Sequence, residues 1–303
     1  MSTFVLLTIT GLGLGAMYFL IASGLSLIYG LMGVLNFAHG AFITIGAYAT
    51  WRIMQSFSGI DPLVLRFLLA SLCGLGFGAI VAALVELVLI RPLYQRHIEQ
   101  VLVTVGLGLA VTALTQAIWT PTQKLFVTPH WLVETTTVFG ARIPNDRWVE
   151  IAAAIIVLVG LIAFLQLTRY GLIVRAGVEN RAMVTALGID VRKAFTLVFT
   201  IGGVAAALAG VLSGVYFGSV DPLQGTRLLI FAFIVVVIGG LGSLGGSAVA
   251  AVVVGLLQQY VNYYASQHGA GSGIGDLSVM LLLAVVLLVR PAGLAGLAPT
   301  RAG

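Results

Sequence analysis

The sequence predicts an all-α polytopic membrane protein with eight or nine transmembrane helices, one of them a candidate broken or re-entrant segment. Two observations carry this. Of 303 residues, 60% are hydrophobic and only 8% are charged, against about 25% charged in a typical soluble domain. No soluble fold of this length could cover so much apolar surface. The apolar residues also fall into runs of membrane length, because a helix crosses the hydrocarbon core in about 20 residues.

The runs lie near 4–34, 40–57, 63–90, 100–119, 149–168, 194–217, 228–242, 247–266 and 277–290. The first charged residue is Arg52, so the opening run has no basic n-region and reads as a retained span, not a secretory signal. It is interrupted at its end by Asn36-Phe37-Ala38-His39-Gly40. Asn and His are costly in hydrocarbon unless hydrogen-bonded, so a polar helix break packed against protein is expected. The functional alternative is that Asn36, Phe37, His39 and Gly40 line or gate a pathway. With no second histidine nearby, a metal site is not expected.

The third run carries Gly74, Gly78 and Ala82 on one face, and the first carries Gly11 and Gly15. Helices in a bilayer associate through close packing of such small residues. Glu86, near the end of the third run, is expected to snorkel or to pair with a basic loop residue. The longest loop, 120–148, contains Pro121, Pro129 and Pro144, and Thr135–Val138 followed by Phe139-Gly140 suggests a short hairpin. The sixth run repeats small residues every four positions at Gly202, Ala206, Gly210 and Gly214, which lines one helix face.

Gly240-Leu-Gly242-Ser-Leu-Gly245 matches the dinucleotide pattern GxGxxG, but that fingerprint needs a soluble strand–turn–helix unit. Here it joins two membrane-length runs, and so reads as a turn or helix break. The runs either side of Gly239–Gly246 make two crossings, or one crossing and a re-entrant segment. Broken helices in transporters often line the substrate path, which makes Gly240 and Gly242 pathway candidates.

Charge sets the orientation. With loops 91–99 and 169–193 and the C-terminus inside, the inner side holds nine basic and three acidic residues and the outer side six of each. The positive-inside rule then places a short N-terminus outside and the C-terminus in the cytoplasm. The net charge of +5 is accounted for by this asymmetry, and no nucleic-acid partner is expected. The whole of 1–303 forms one transmembrane domain, with an inner loop at 169–193 and an outer loop at 120–148.

That inner loop holds five basic and two acidic residues. From Val178 to Leu187 it lacks Pro and Gly and favours a short amphipathic helix, with Glu179, Asn180 and Arg181 on the polar side. Gly188 is placed to end it in a left-handed cap, and Asp190 to cap the next span. The one cysteine, Cys73, forms no internal disulfide. There is no Walker A sequence, since neither Lys124 nor Lys193 follows Gly and precedes Ser or Thr. Gly-x-Ser-x-Gly and His-Glu-x-x-His are absent as well, so the chain is not expected to be an enzyme or to hydrolyse ATP itself.

Asn180 through Ile189, with its Ala-Leu-Gly-Ile ending, resembles the cytoplasmic coupling loop of the permease subunits of branched-chain amino acid ABC importers (the LivH type). Gly30-Leu-Met-Gly33-Val-Leu-Asn36-Phe-Ala-His39-Gly40 is similar to their segment after the first span. Glu86 followed by Arg91-Pro92-Leu93, Ile201-Gly-Gly, Ala209-Gly-Val-Leu, Ile238-Gly-Gly-Leu-Gly-Ser-Leu-Gly-Gly and Val289-Arg290-Pro291-Ala-Gly-Leu complete the resemblance over nearly the whole chain. One departure matters: the Glu-Ala-Ala of such loops is Ala182-Met183-Val184 here, with Glu179 one turn earlier.

The resemblance implies a complex in a bacterial or archaeal cytoplasmic membrane. It would contain a second permease subunit, two ATP-binding subunits carrying ATP and Mg, and an extracytoplasmic substrate-binding protein, in contact with membrane lipid. No cofactor is expected on this chain. Glu179, Asn180, Ala182, Leu187, Gly188 and Ile189 would form the ATPase-coupling contact. The cargo would be a branched-chain or other hydrophobic amino acid. Urea or short amides carried by the same machinery are the alternative, and a self-sufficient channel or carrier is a distant one.

Overall fold

The structure, a computed structural model, describes residues 2–94, 96–179, 183–184, 190–269, 271 and 273–295. Its long helices are α1 (Ser2–Met32), α2 (His39–Ser56), α3 (Leu63–Val85), α4 (His97–Trp119), α6 (Asn145–Leu167), α8 (Val191–Phe217), α9 (Gln224–Gly239), α10 (Leu244–Gln267) and α11 (Ile274–Val289). Two short helices, α5 (His130–Val133) and α7 (Arg169–Glu179), lie between them. Every predicted apolar run coincides with one of the nine long helices. Six of the nine, α1, α3 with its extension to Leu93, α4, α6, α8 and α10, are long and apolar enough to cross a membrane. Against the prediction of eight or nine crossings, the described residues hold six helices of full spanning length and three shorter ones.

The shorter three are informative. Helices α9 and α11 have 16 residues each and α2 has 18, which at 1.5 Å per residue is about 24 to 27 Å, short of a 30 Å hydrocarbon core. Helix α2 also starts deep, with the His39 ring against the Ile21 carbonyl, nineteen positions after the start of α1. The α9 start lies beside it, since a Cβ on Gly40 would sit 2.7 Å from the Gly225 carbonyl oxygen. Two partial helices therefore begin next to one another inside the bundle.

Helices α1 and α8 are the most buried of the spanning helices and α4 and α6 the least. The small-residue stripes are what let the central ones meet. The Cβ positions of Gly11 and Gly15 face Leu256 and Ala251 of α10, and those of Gly202 and Gly214 face Ile28 and Phe126. Gly78 and Gly203 each face an alanine, Ala207 and Ala82, across the α3–α8 contact. Thr8 and Tyr260 share a hydrogen bond of 2.9 Å at one end of the α1–α10 pair, and Gly30 touches Gly242 at the other, so these helices run antiparallel. Leucines and isoleucines such as Leu72, Ile98, Leu109, Ile156 and Leu281 cover the outer surface, as lipid contact requires.

The hairpin expected in the long loop is present, with β2 (Thr135–Val138) pairing β3 (Ala141–Pro144). Its two turn residues, Phe139 at φ 49° and Gly140 at φ 79°, both take positive φ, as a type I′ turn requires. A second two-residue ladder joins β1 (Lys124–Leu125) to β4 (Ser219–Val220) and ties this loop to the end of α8.

The inner loop holds a helix over Arg169–Glu179 that the sequence reading did not place, while most of the helix expected over Val178–Leu187 lies outside the described residues. Gly171 packs directly on the backbone of α6, its Cβ position lying 2.6 Å from the Leu165 carbonyl oxygen. Met183 and Val184 are helical too.

Candidate functional site

The break after α1 is where the polar residues gather. Asn36 and His39 are fully buried. The Asn36 side-chain oxygen accepts from the Ala38 amide at 3.1 Å, and the Phe37 amide donates to Thr104 Oγ1 on α4 at 3.3 Å. His39 Nε2–H donates to the Ile21 carbonyl at 3.0 Å. That leaves Asn36 Nδ2 and His39 Nδ1 buried without a partner among the described residues. Such atoms are uncommon in folded proteins and call for a reason. The Phe37 ring packs on Phe233 of α9 with centroids 5.0 Å apart. Gly40 has no room for a side chain against α9, as described above.

The Gly240–Gly242 turn joins α9 to α10 with φ of 100° and 84° at the two glycines, a conformation open to glycine and strained for other residues. A Cβ on Gly242 would fall 2.7 Å from Gly30 Cα. The turn therefore closes on the end of α1, just before the break. The chain after α11 returns to it: Leu294 and Ala295 amides donate to the Ile238 and Gly239 carbonyls at 2.8 and 3.0 Å, pairing the last carbonyls of α9. The two segments singled out as pathway candidates thus flank one corner of the bundle, one at each end of Gly30–Gly40.

Of the predicted coupling residues, Glu179 is exposed at the end of α7. Asn180, Ala182, Leu187, Gly188 and Ile189 lie outside the described residues, as does the expected Gly188 cap. The Asp190 cap is present: its Oδ1 accepts from the Arg192 amide at 3.0 Å, ahead of α8. Buried Val174, Val191, Ala194, Phe195 and Val198 seat α7 against the start of α8.

Glu86 corrects the sequence reading. It does not snorkel, and among the described residues it pairs with no basic one; it is fully buried, accepting from the Tyr94 hydroxyl and, at 2.6 Å, from Thr196 Oγ1 of α8. The helix widens into a π-turn over Glu86–Ile90, a local change seen often at functional sites. The carboxylate so placed links α3 to α8 beside the α7 segment.

One cavity was not foreseen. It has a volume of about 530 Å³ and opens among α1, α9, α10, α11 and the end of α8. Tyr18 donates to Gln258 Oε1 at 2.8 Å, and Gln258 Nε2 donates to Asp276 Oδ1 at 2.6 Å. Opposite, Arg227 pairs with Asp221, and Asp221 also caps the turn into α9 by accepting the Leu223 amide at 2.9 Å. Gln224 donates to Ser213 at 2.9 Å. Leu14, Leu228 and Phe231 supply apolar wall, with Phe231 stacked on Tyr18 at 5.1 Å. Behind Tyr216, another wall residue, Arg147 lies 3.5 Å above the ring and is held by Asp146 and Glu150. These residues come from elements far apart in sequence, and the sequence counted the charged ones, Asp146, Arg147, Glu150, Asp221, Arg227 and Asp276, only as outer-side charges.

A family model described as "Branched-chain amino acid transport system / permease component" matches residues 7–290. The chain belongs to this family. Among curated relatives, the high-affinity branched-chain amino acid transport system permease protein LivH of Salmonella typhimurium (strain LT2) is 30% identical, with 94% of this chain and 93% of the relative covered. LivH of Escherichia coli (strain K12) is 30% identical over the same shares. BraD of Pseudomonas aeruginosa is 29% identical, covering 95% and 94%. No solved structure matches.

As a permease, the molecule offers two features suited to moving a solute. One is a polar cavity on the face that carries the start of α1. The other is a pair of partial helices that start near its floor, with unpaired polar atoms at the first. Discontinuous helices of this kind often surround substrate sites in transporters.

Proposed function

We propose that this chain is the membrane permease subunit of an ATP-binding cassette importer for branched-chain or other hydrophobic amino acids, working by alternating access. The observation that carries this is the family match along residues 7–290, supported by relatives whose names state branched-chain amino acid transport. In this reading a second permease subunit, two ATPases holding ATP and Mg, and an extracytoplasmic binding protein complete the machine in a cytoplasmic membrane.

The cavity faces outside, the 120–148 loop meets the binding protein, and residues 169–193 face the cytoplasm. Closure of the ATPase pair pushes on Glu179, Asn180, Ala182, Leu187, Gly188 and Ile189. The α7–α8 contact and the Glu86 link then carry the displacement to α3 and α8, a rigid-body switching of packed elements. The Asn36–Gly40 break and the Gly240–Gly242 turn act as the gate, where buried unpaired atoms can exchange partners as the helices shift.

The test is ATPase stimulation. The assembled complex in nanodiscs should hydrolyse ATP faster when leucine-loaded binding protein is added than when urea-loaded or empty protein is added. Equal rates in all three cases would overturn the assignment of cargo.

A further inference from the structure

The cavity holds an imbalance of charge. Asp221 is matched by Arg227, whereas Asp276 receives a single amide hydrogen bond, from Gln258, and no cation pairs with it among the described residues. Gln258 is itself buried and fixed by the Tyr18 hydroxyl, so the hydroxyl–amide–carboxylate chain holds Asp276 in one orientation. A carboxylate kept partly desolvated without a counter-ion favours an incoming cation. In the same cavity, Arg227 uses one guanidinium nitrogen on Asp221 and keeps its side chain 59% exposed, so its remaining donors are open to an anion. Leu228 and Phe231 supply apolar wall to the same cavity.

We infer that this cavity binds the zwitterionic backbone of an amino acid, with Asp276 taking the ammonium, Arg227 the carboxylate, and the aliphatic side chain lying against Leu228 and Phe231. The inference rests on the importer reading and deepens it. It also selects cargo, since a neutral solute such as urea leaves Asp276 uncompensated. Charge-assisted hydrogen bonds are the strong ones, and each here reads a group that every free amino acid carries.

The experiment uses the assembled permease–ATPase complex without binding protein. Equilibrium binding is measured for L-leucine, for isoamylamine, which lacks the carboxylate, and for 4-methylpentanoate, which lacks the ammonium. Asp276→Asn should weaken leucine and isoamylamine about tenfold or more and leave 4-methylpentanoate unchanged, and Asp276→Glu should recover most of the loss. Arg227→Gln should weaken leucine and 4-methylpentanoate and spare isoamylamine. If Asp276→Asn melts early, the exposed Arg227 variant carries the test.

Leucine binding equal to wild type in both variants, or no leucine binding to the wild-type complex at millimolar concentration, overturns the site. ATP-driven leucine uptake by the wild-type complex separates this from the importer reading. Uptake present with both variants unaltered removes only the cavity assignment, while uptake absent with any binding protein removes the importer.

Discussion

Gly40→Ala puts the convergence of the two partial helices to a quantitative test. The added methyl carbon would sit 2.7 Å from the Gly225 carbonyl oxygen and 3.3 Å from Leu229 Cβ, where ordinary contact begins at 3.4 Å. Relieving about 0.7 Å of overlap means moving the start of α2 or of α9, because the obstacle is backbone and cannot rotate aside. Overpacking of this kind costs about 1–3 kcal/mol, set against at most about 1 kcal/mol of helix propensity gained by replacing glycine with alanine. A paired substitution isolates the propensity term: Gly160→Ala, in the middle of α6, meets nothing within 4 Å. Thermal melts of the detergent-solubilised protein should show Gly40→Ala several degrees below wild type and Gly160→Ala at or above it. A Gly40→Ala melt matching that of Gly160→Ala would refute the tight α2–α9 approach.

Other consequences follow from single contacts. Glu86→Ala removes the acceptor shared by the Tyr94 and Thr196 hydroxyls, and each hydrogen bond is worth about 0.5–1.5 kcal/mol net, more to a charged group; the melt should drop more than for the isosteric Glu86→Gln. Asp190→Ala removes the α8 cap and should destabilise by about 0.5–2 kcal/mol, recovered by Asp190→Ser in the same melt. For orientation, with Cys73 replaced by Ala, a cysteine at Glu179 should react with a membrane-impermeant maleimide only after cells are opened. A cysteine at Glu134, in the hairpin loop, should react in intact cells. The opposite pattern would reverse the topology.

Local chemistry was legible in the sequence wherever a few neighbouring residues decide the geometry. Thr135–Val138 followed by Phe139-Gly140 suggested a hairpin because a glycine after a short β-prone run readily supplies a positive-φ turn position, whereas the positive φ of Phe139 could not be read from its residue type. Asp190 announced a cap because an acid just before an apolar run has free amides to meet. The four-residue glycine stripe of α8 foretold a packed face, and Gly202 and Gly214 indeed admit α1 and the loop at Phe126.

What failed depended on partners distant in the chain. Glu86 looked like a charge near a membrane surface; its burial depends on Thr196, 110 positions away. The α7 start was hidden because Gly171 is a poor helix former in isolation and a necessary one against α6. The cavity had no sequence motif at all, since Tyr18, Arg227, Gln258 and Asp276 meet only when α1, α9, α10 and α11 are assembled. The break at Asn36–Gly40 was visible as polar residues in an apolar run, but not that α9 would start beside it.

The central claim is that this permease carries branched-chain amino acids using work done by separate ATPases. The direct measurement is uptake of radiolabelled leucine into proteoliposomes holding the full complex, with binding protein outside and ATP inside. Accumulation that depends on ATP, and that stops with a non-hydrolysable analogue, is the expected result. Leucine equilibrating at the same rate without ATP, or through the permease chain alone, would contradict it.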